Sequence, residues 1–92
     1  MQETFQRNQR IEAAPLNEEA ILFDPTTSKF FLLNSTSSFI WDLLSGPSNL
    51  ETLSSAMCEA FGNVSLPDAR NDVQGALEQM LAMELIVRSD VA

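Results

Sequence analysis

The stretch Asp24-Pro25-Thr26-Thr27-Ser28, followed by Lys29-Phe30-Phe31-Leu32-Leu33 and then Asn34-Ser35-Thr36, constrains this chain more than any other. Pro presets φ for a turn and Asp bonds the backbone ahead of it, so residues 24–28 reverse the chain. The apolar run that follows reads as a strand. Asn34 or Ser35 then caps a helix whose apolar face opens with Phe39, Ile40 and Trp41. Alternate residues of a strand face opposite ways, so Phe31 and Leu33 share one face and Phe30 and Leu32 the other. Helices of the same small chain cover only one of those faces. The other pair is left to water or to a partner.

The rest of the chain fits around that hinge. Residues 1–9 are polar and expected to be a flexible N-terminus, and 89–92 a C-terminal tail, leaving 10–88 as one domain. Strands are predicted over 11–14, 20–23 and 29–33, with a first turn at Leu16-Asn17-Glu18-Glu19. Connections this short make an antiparallel meander. A first helix runs to about Ser45, carries Phe39, Ile40, Leu43 and Leu44 on one side, and stops at Gly46-Pro47. Ser48-Asn49-Leu50-Glu51 has capping-box spacing for a second helix, with Leu50, Leu53, Met57 and Phe61 as its stripe and Gly62 as its end. Ser65-Leu66-Pro67-Asp68 starts a third, which turns Ala69, Val73, Ala76, Leu77, Met80 and Leu81 inward. Residues 85–87 close the chain as a short apolar tail. The expected class is α+β and winged-helix-like: a three-stranded antiparallel sheet followed by three helices.

Charge and residue usage remove whole classes of function. The chain has 92 residues and a formal charge of −8, from thirteen acidic and five basic side chains. Duplex binding rests on Lys and Arg neutralising phosphates, so nucleic acid is an unsuitable partner. There is no histidine, which removes the commonest general base and the usual zinc ligand sets. Cys58 is the sole cysteine and has neither a disulfide partner nor an activating base, so it reads as a small buried thiol in a reducing cytoplasm. The acidic residues are scattered and form no Asp-x-Asp metal loop. No apolar run approaches the ~20 residues that span a bilayer, and the N-terminus lacks a secretory apolar segment. Neither catalysis, a cofactor, a metal nor a membrane is expected.

A few residues remain as binding candidates. The strand over residues 29–33 has neither proline nor an inward charge to discourage pairing. It therefore reads as an edge able to accept an added peptide strand, against the plainer alternative of stray surface hydrophobes. Arg70 lies near the start of helix three, where the helix dipole disfavours a cation. It is expected to meet an acid, either Asp68 or Asp72 on its own helix or an acidic residue of a ligand. Gly75, mid-helix, suggests close approach by a neighbouring helix or a bound peptide. Trp41 is read as a core anchor.

The order Asp24-Pro25, Phe30-Phe31-Leu32-Leu33-Asn34-Ser35-Thr36 and Ile40-Trp41 resembles the "Leu-Asp-Pro … Tyr-x-Leu-Asn-x-Thr … Ile-Trp" stretch of PqqD-like proteins. Gly46, Leu53, Phe61, Asn71-Asp72-Val73, Leu77 and Leu81 continue the likeness, which covers residues 11–87. The resemblance implies a leader-peptide recognition element in the biosynthesis of ribosomally made, post-translationally modified peptides. Such a domain does no chemistry. It captures the leader of a precursor peptide as an extra strand on the third strand beside helix three. It then presents the core to a modifying enzyme, such as a radical S-adenosylmethionine enzyme, or to a leader peptidase. By position, the implied contacts are Lys29, Phe30, Phe31, Leu32 and Leu33 on the strand and Arg70, Val73, Gln74, Leu77, Glu78 and Leu81 on the helix. Two departures stand out: positions 30 and 32 are commonly more polar in the family, and Glu84 replaces a frequent Gly at the end of helix three.

The competing expectations are a winged-helix DNA-binding regulator, another protein-interaction adaptor, and an acyl carrier. The first is opposed by the acidity of helix three, and the last by the strands and by the lack of an Asp-Ser pair at a helix start. An uncovered edge strand also makes self-pairing into a homodimer an open alternative.

Overall fold

The computed structural model describes residues 3–16 and 19–90. Its elements run β1 (Glu3–Arg7), β2 (Glu12–Leu16), β3 (Glu19–Asp24), β4 (Lys29–Leu33), α1 (Ser35–Leu43), β5 (Ser48–Asn49), α2 (Leu50–Ala60), α3 (Leu66–Ala82) and β6 (Ile86–Asp90). The antiparallel strands and three helices read from the sequence are present. The strands, however, divide into two three-stranded sheets, ordered β2-β3-β4 and β5-β1-β6.

The first sheet is the expected meander. Ile21 stands opposite Leu32, and Phe23 opposite Phe30. On its inner face Ala20, Leu22 and Leu33 are buried, and Leu22 is fully so. The β3–β4 turn is held by Asp24, whose Oδ1 accepts from the Thr26 amide at 2.9 Å. Arg10 donates to both carboxylate oxygens of Asp24, Nε to Oδ1 and Nη2 to Oδ2, each at 3.2 Å. That fork lowers the Asp24 pKa; burial works the other way, and the Thr26 amide adds to the lowering. The turn closes through Ser28, a non-glycine residue at φ 58°, a conformation that costs roughly 1–2 kcal/mol. The turn expected at 16–19 lies partly on residues outside those described.

The second sheet corrects the expectation of an unstructured N-terminus. Glu3–Arg7 is its middle strand, paired antiparallel with β6 from Glu3↔Asp90 to Arg7↔Ile86 and with β5 at Thr4↔Asn49 and Phe5↔Ser48. The segment that reads as an apolar tail is therefore a strand. Phe5 and Ile86 are buried in the common core. Arg7 fixes this sheet to α1: its Nε donates to the Trp41 carbonyl at 2.9 Å, and its guanidinium lies 4.7 Å from the Trp41 ring centroid.

Helix starts follow side-chain caps. Asn34 Oδ1 accepts from the Ser37 amide and Ser65 Oγ from that of Asp68. In α2 the cap is Asn49, which accepts from the Thr52 amide at 2.8 Å, rather than the Ser48 of the predicted capping box. Ser48 is committed to pairing with Phe5, which moves the helix start by one residue. In α1 the buried residues are Ser38, Ile40 and Trp41, joined by Leu44 just past the helix, whereas Leu43 faces out. Phe61 is likewise exposed and meets Phe39 edge-on at 5.3 Å. The inward set of α3 is as its periodicity predicts: Ala69, Val73, Ala76, Leu77 and Met80, with Leu81 half-buried. α3 ends with Glu84 at φ 59°. The Leu85 amide bonds the Met80 carbonyl and the Glu84 amide that of Leu81, the paired closure of a Schellman cap without its usual glycine.

Candidate functional site

The expected site has two halves, and the structure puts them in different settings. Among the described residues, β4 is an outer strand of the first sheet, paired with β3 on one side only. Its inward residues close the core, with Leu33 buried and Phe31 half-buried. Lys29 is exposed, Phe30 is 71% exposed and Leu32 64%. Two large apolar side chains thus stand in water on a strand with a vacant pairing edge.

The other half lies on α3. Val73 is fully buried and serves the core alone. Gln74, Leu77, Glu78 and Leu81 line an open cavity of about 310 Å³. Its remaining walls are Glu3 and Phe5 of β1, Arg88 of β6, Asn49 of β5, and Leu50 and Glu51 of α2. No residue of β4 lines it. Phe5, Leu50, Leu77 and Leu81 make an apolar floor, and charges sit at the rim, including the Arg88–Glu3 ion pair at 3.0 Å. The residues contributed by β1 and β6 escaped sequence reading. Phe5 is the one apolar residue in Glu3–Arg7, and its partner strand lies at the far end of the chain. The available signal was the alternation of Phe5 between polar neighbours.

Arg70 corrects a further expectation. It pairs with neither Asp68 nor Asp72 but reaches across to Glu51 of α2, Nη2 to Oε2 at 2.8 Å. Its Nε is buried without a hydrogen-bond partner. All four arginines meet a carboxylate: Arg7 with Asp42, Arg10 with Asp24, Arg70 with Glu51 and Arg88 with Glu3. α3 therefore offers no unpaired cation to a phosphate. Gly75 is not a close-approach site, since a Cβ there meets nothing within 4 Å. Cys58 is half-buried beside the core. Among the described residues, no group of carboxylates and thiols is placed to hold a metal ion, and no helix is long and apolar enough to cross a membrane.

This fold matches known proteins. The family model for coenzyme PQQ synthesis protein D (PqqD) matches residues 19–86, most of the chain. The chain belongs to the PqqD family. Its structure is similar to that of TbiB1 in complex with the TbiA(beta) leader peptide, with a TM-score of 0.80 and 25% identity, covering 88% of this chain and 93% of that one. It also shares the fold of lasso peptide synthetase B1 complexed with the leader peptide, with a TM-score of 0.76 and 18% identity, covering 90% of this chain and 96% of that one. A sequence search of the curated proteins found no match.

Proposed function

We propose that this chain is a peptide chaperone without catalytic activity of its own. It binds the leader of a ribosomally made precursor by strand addition and delivers it to a modifying enzyme. The observation that carries this reading is the outer strand β4, free along one edge and flanked by exposed apolar side chains, in a chain of the PqqD family. Both similar structures were solved with leader peptides. A guest strand on β4 gains a ladder of main-chain hydrogen bonds, with side-chain contacts adding selectivity. The cavity between α3 and β1 gives the guest, or the segment beyond it, an apolar hold on Leu77 and Leu81. The residues proposed to bind are Lys29 to Leu33, with Arg70, Gln74, Leu77, Glu78 and Leu81. Val73 acts from beneath as support. The proposed setting is the cytoplasm, and the receiving enzyme is a radical S-adenosylmethionine enzyme or a leader peptidase.

The test is a titration of isotopically labelled protein with the leader segment of a short precursor encoded beside its gene. Amide shifts are expected over residues 29–34 and along 70–81. An absence of shifts at about 100 μM peptide, where even a weak specific complex is populated, sinks the proposal.

A further inference from the structure

The outward side chains of the first sheet form two cross-strand rows. The pairings Glu12↔Phe23 and Phe23↔Phe30 make one; Ala14↔Ile21 and Ile21↔Leu32 make the other. Directly opposed residues of neighbouring strands project from the same face with their Cβ atoms about 5 Å apart. Phe23 and Ile21, on the middle strand, have neighbours on both sides and are half-buried. Phe30 packs against Phe23 at a ring-centroid distance of 4.7 Å. Among the described residues its other flank has no neighbour in the sheet, and Leu32 is in the same position, so both stay mostly exposed. Each row ends in its largest exposed apolar residue at the edge where another strand fits.

We propose that Phe30 and Leu32 are specificity-determining residues, which select guest peptides carrying large apolar side chains at two outward positions separated by one residue. This rests on the reading of β4 as the strand-addition edge. A guest paired with β4 places one residue opposite Leu32 and another, two positions along, opposite Phe30. Those two guest side chains extend the rows and cover the vacant flanks. A second copy of this chain is a poorer occupant of the face. Three strands of about five residues present roughly 200 Å², against ~800 Å² per partner in a standard interface. Each copy also carries a charge of −8.

The experiment selects binders from a displayed library of random peptides on the wild-type chain and again on the Phe30→Thr/Leu32→Thr double variant. Both sites are exposed and threonine suits a strand, so the variant is expected to melt with the wild type. A swap variant, Phe30→Leu/Leu32→Phe, keeps the apolar area and exchanges the shapes. The wild type is expected to enrich peptides with large apolar residues two apart, and these shift the amides of residues 29–33. On the double variant that spacing preference disappears, and the wild-type-selected peptides bind about tenfold more weakly or worse. On the swap variant, the size preference at the two positions is exchanged. Equal binding to wild type and double variant, with the β4 amides still shifting, overturns the inference and leaves strand addition standing. Peptides that leave those amides unmoved overturn both. A wild-type dimer that the double variant dissolves assigns the face to a second copy and overturns the inference.

Discussion

The two sheets of this small protein are built on opposite plans. The first, β2-β3-β4, is a meander of consecutive strands joined by short turns, and among the described residues its outer strands β2 and β4 each pair on one side only. The second gathers the two ends of the described chain around β1 and adds two residues from the α1–α2 connection. Its middle strand, like β3 in the first sheet, pairs on both sides, and Phe5 is buried from it in the core. Local closure leaves β4 as an outer strand, the edge proposed here to take a guest. Distant closure made the second the clasp of the fold. Stability and binding are therefore expected to separate, the one answering to β1 and the other to β4.

The largest effect expected of that division comes from Phe5→Ala. Phe5 is 6% exposed and forms part of the cavity floor, and such a truncation costs about 3–5 kcal/mol. Urea unfolding reads this as a lower midpoint at unchanged slope. A loss under about 1 kcal/mol means that the clasp is dispensable. Leu32→Pro tests the other sheet. Proline is tolerated at an edge but removes an amide donor. Stability is expected to fall by no more than about 1 kcal/mol, while leader capture is lost. Retained capture moves the guest off β4 and onto the α3 cavity.

Acid is expected to separate the sheets more gently. Arg10, in the connection between β1 and β2, grips Asp24 at the β3–β4 turn and lies 4.0 Å from Glu84 at the end of α3. The Asp24 pKa is lowered in the folded state, chiefly by the Arg10 hydrogen bonds. Its contribution to stability is thus fully present above the unfolded value of about 3.9 and is lost as pH falls through the lower folded value. Hydrogen exchange at falling pH, corrected for intrinsic rates, is expected to show β3 and β4 amides losing protection ahead of those of β1 and β6. Asp24→Asn removes most of that pH dependence. Simultaneous loss in both sheets means that Arg10 ties them into one unit.

What could be read from the sequence follows the same line. The Asp24-Pro25 turn, β4, and the caps Asn34 and Ser65 all depend on residues within a few positions of each other, and their signals are local. The inward residues of α3 follow a single period and were legible for that reason. β1 was not legible. Glu3–Arg7 has one apolar residue, and what makes it a strand is a partner at the other end of the chain. That omission carried others with it: Ser48 is drawn into pairing and Asn49 becomes the cap. The cavity wall at Phe5 and Arg88 was hidden for the same reason. Arg70 pointed correctly to an acid, but its partner Glu51 sits on another helix, beyond what spacing along α3 can show.

Gly75 gives the smallest expected effect and joins both halves of the comparison. It lies in the middle of α3, exposed, and a Cβ built there has open space around it. The helix pays no steric toll for a methyl group, and glycine leaves the unfolded chain freer than alanine does. Gly75→Ala is therefore expected to raise stability by about 0.5–1 kcal/mol, through helix propensity and the unfolded state. Gln74 and Glu78, its neighbours on α3, line the cavity, whereas Gly75 does not. Affinity for a leader peptide is then expected to stay unchanged while the urea midpoint rises. A stabilised protein that binds more weakly shows the guest crossing α3 over Gly75, outside the cavity, and redraws the path from β4.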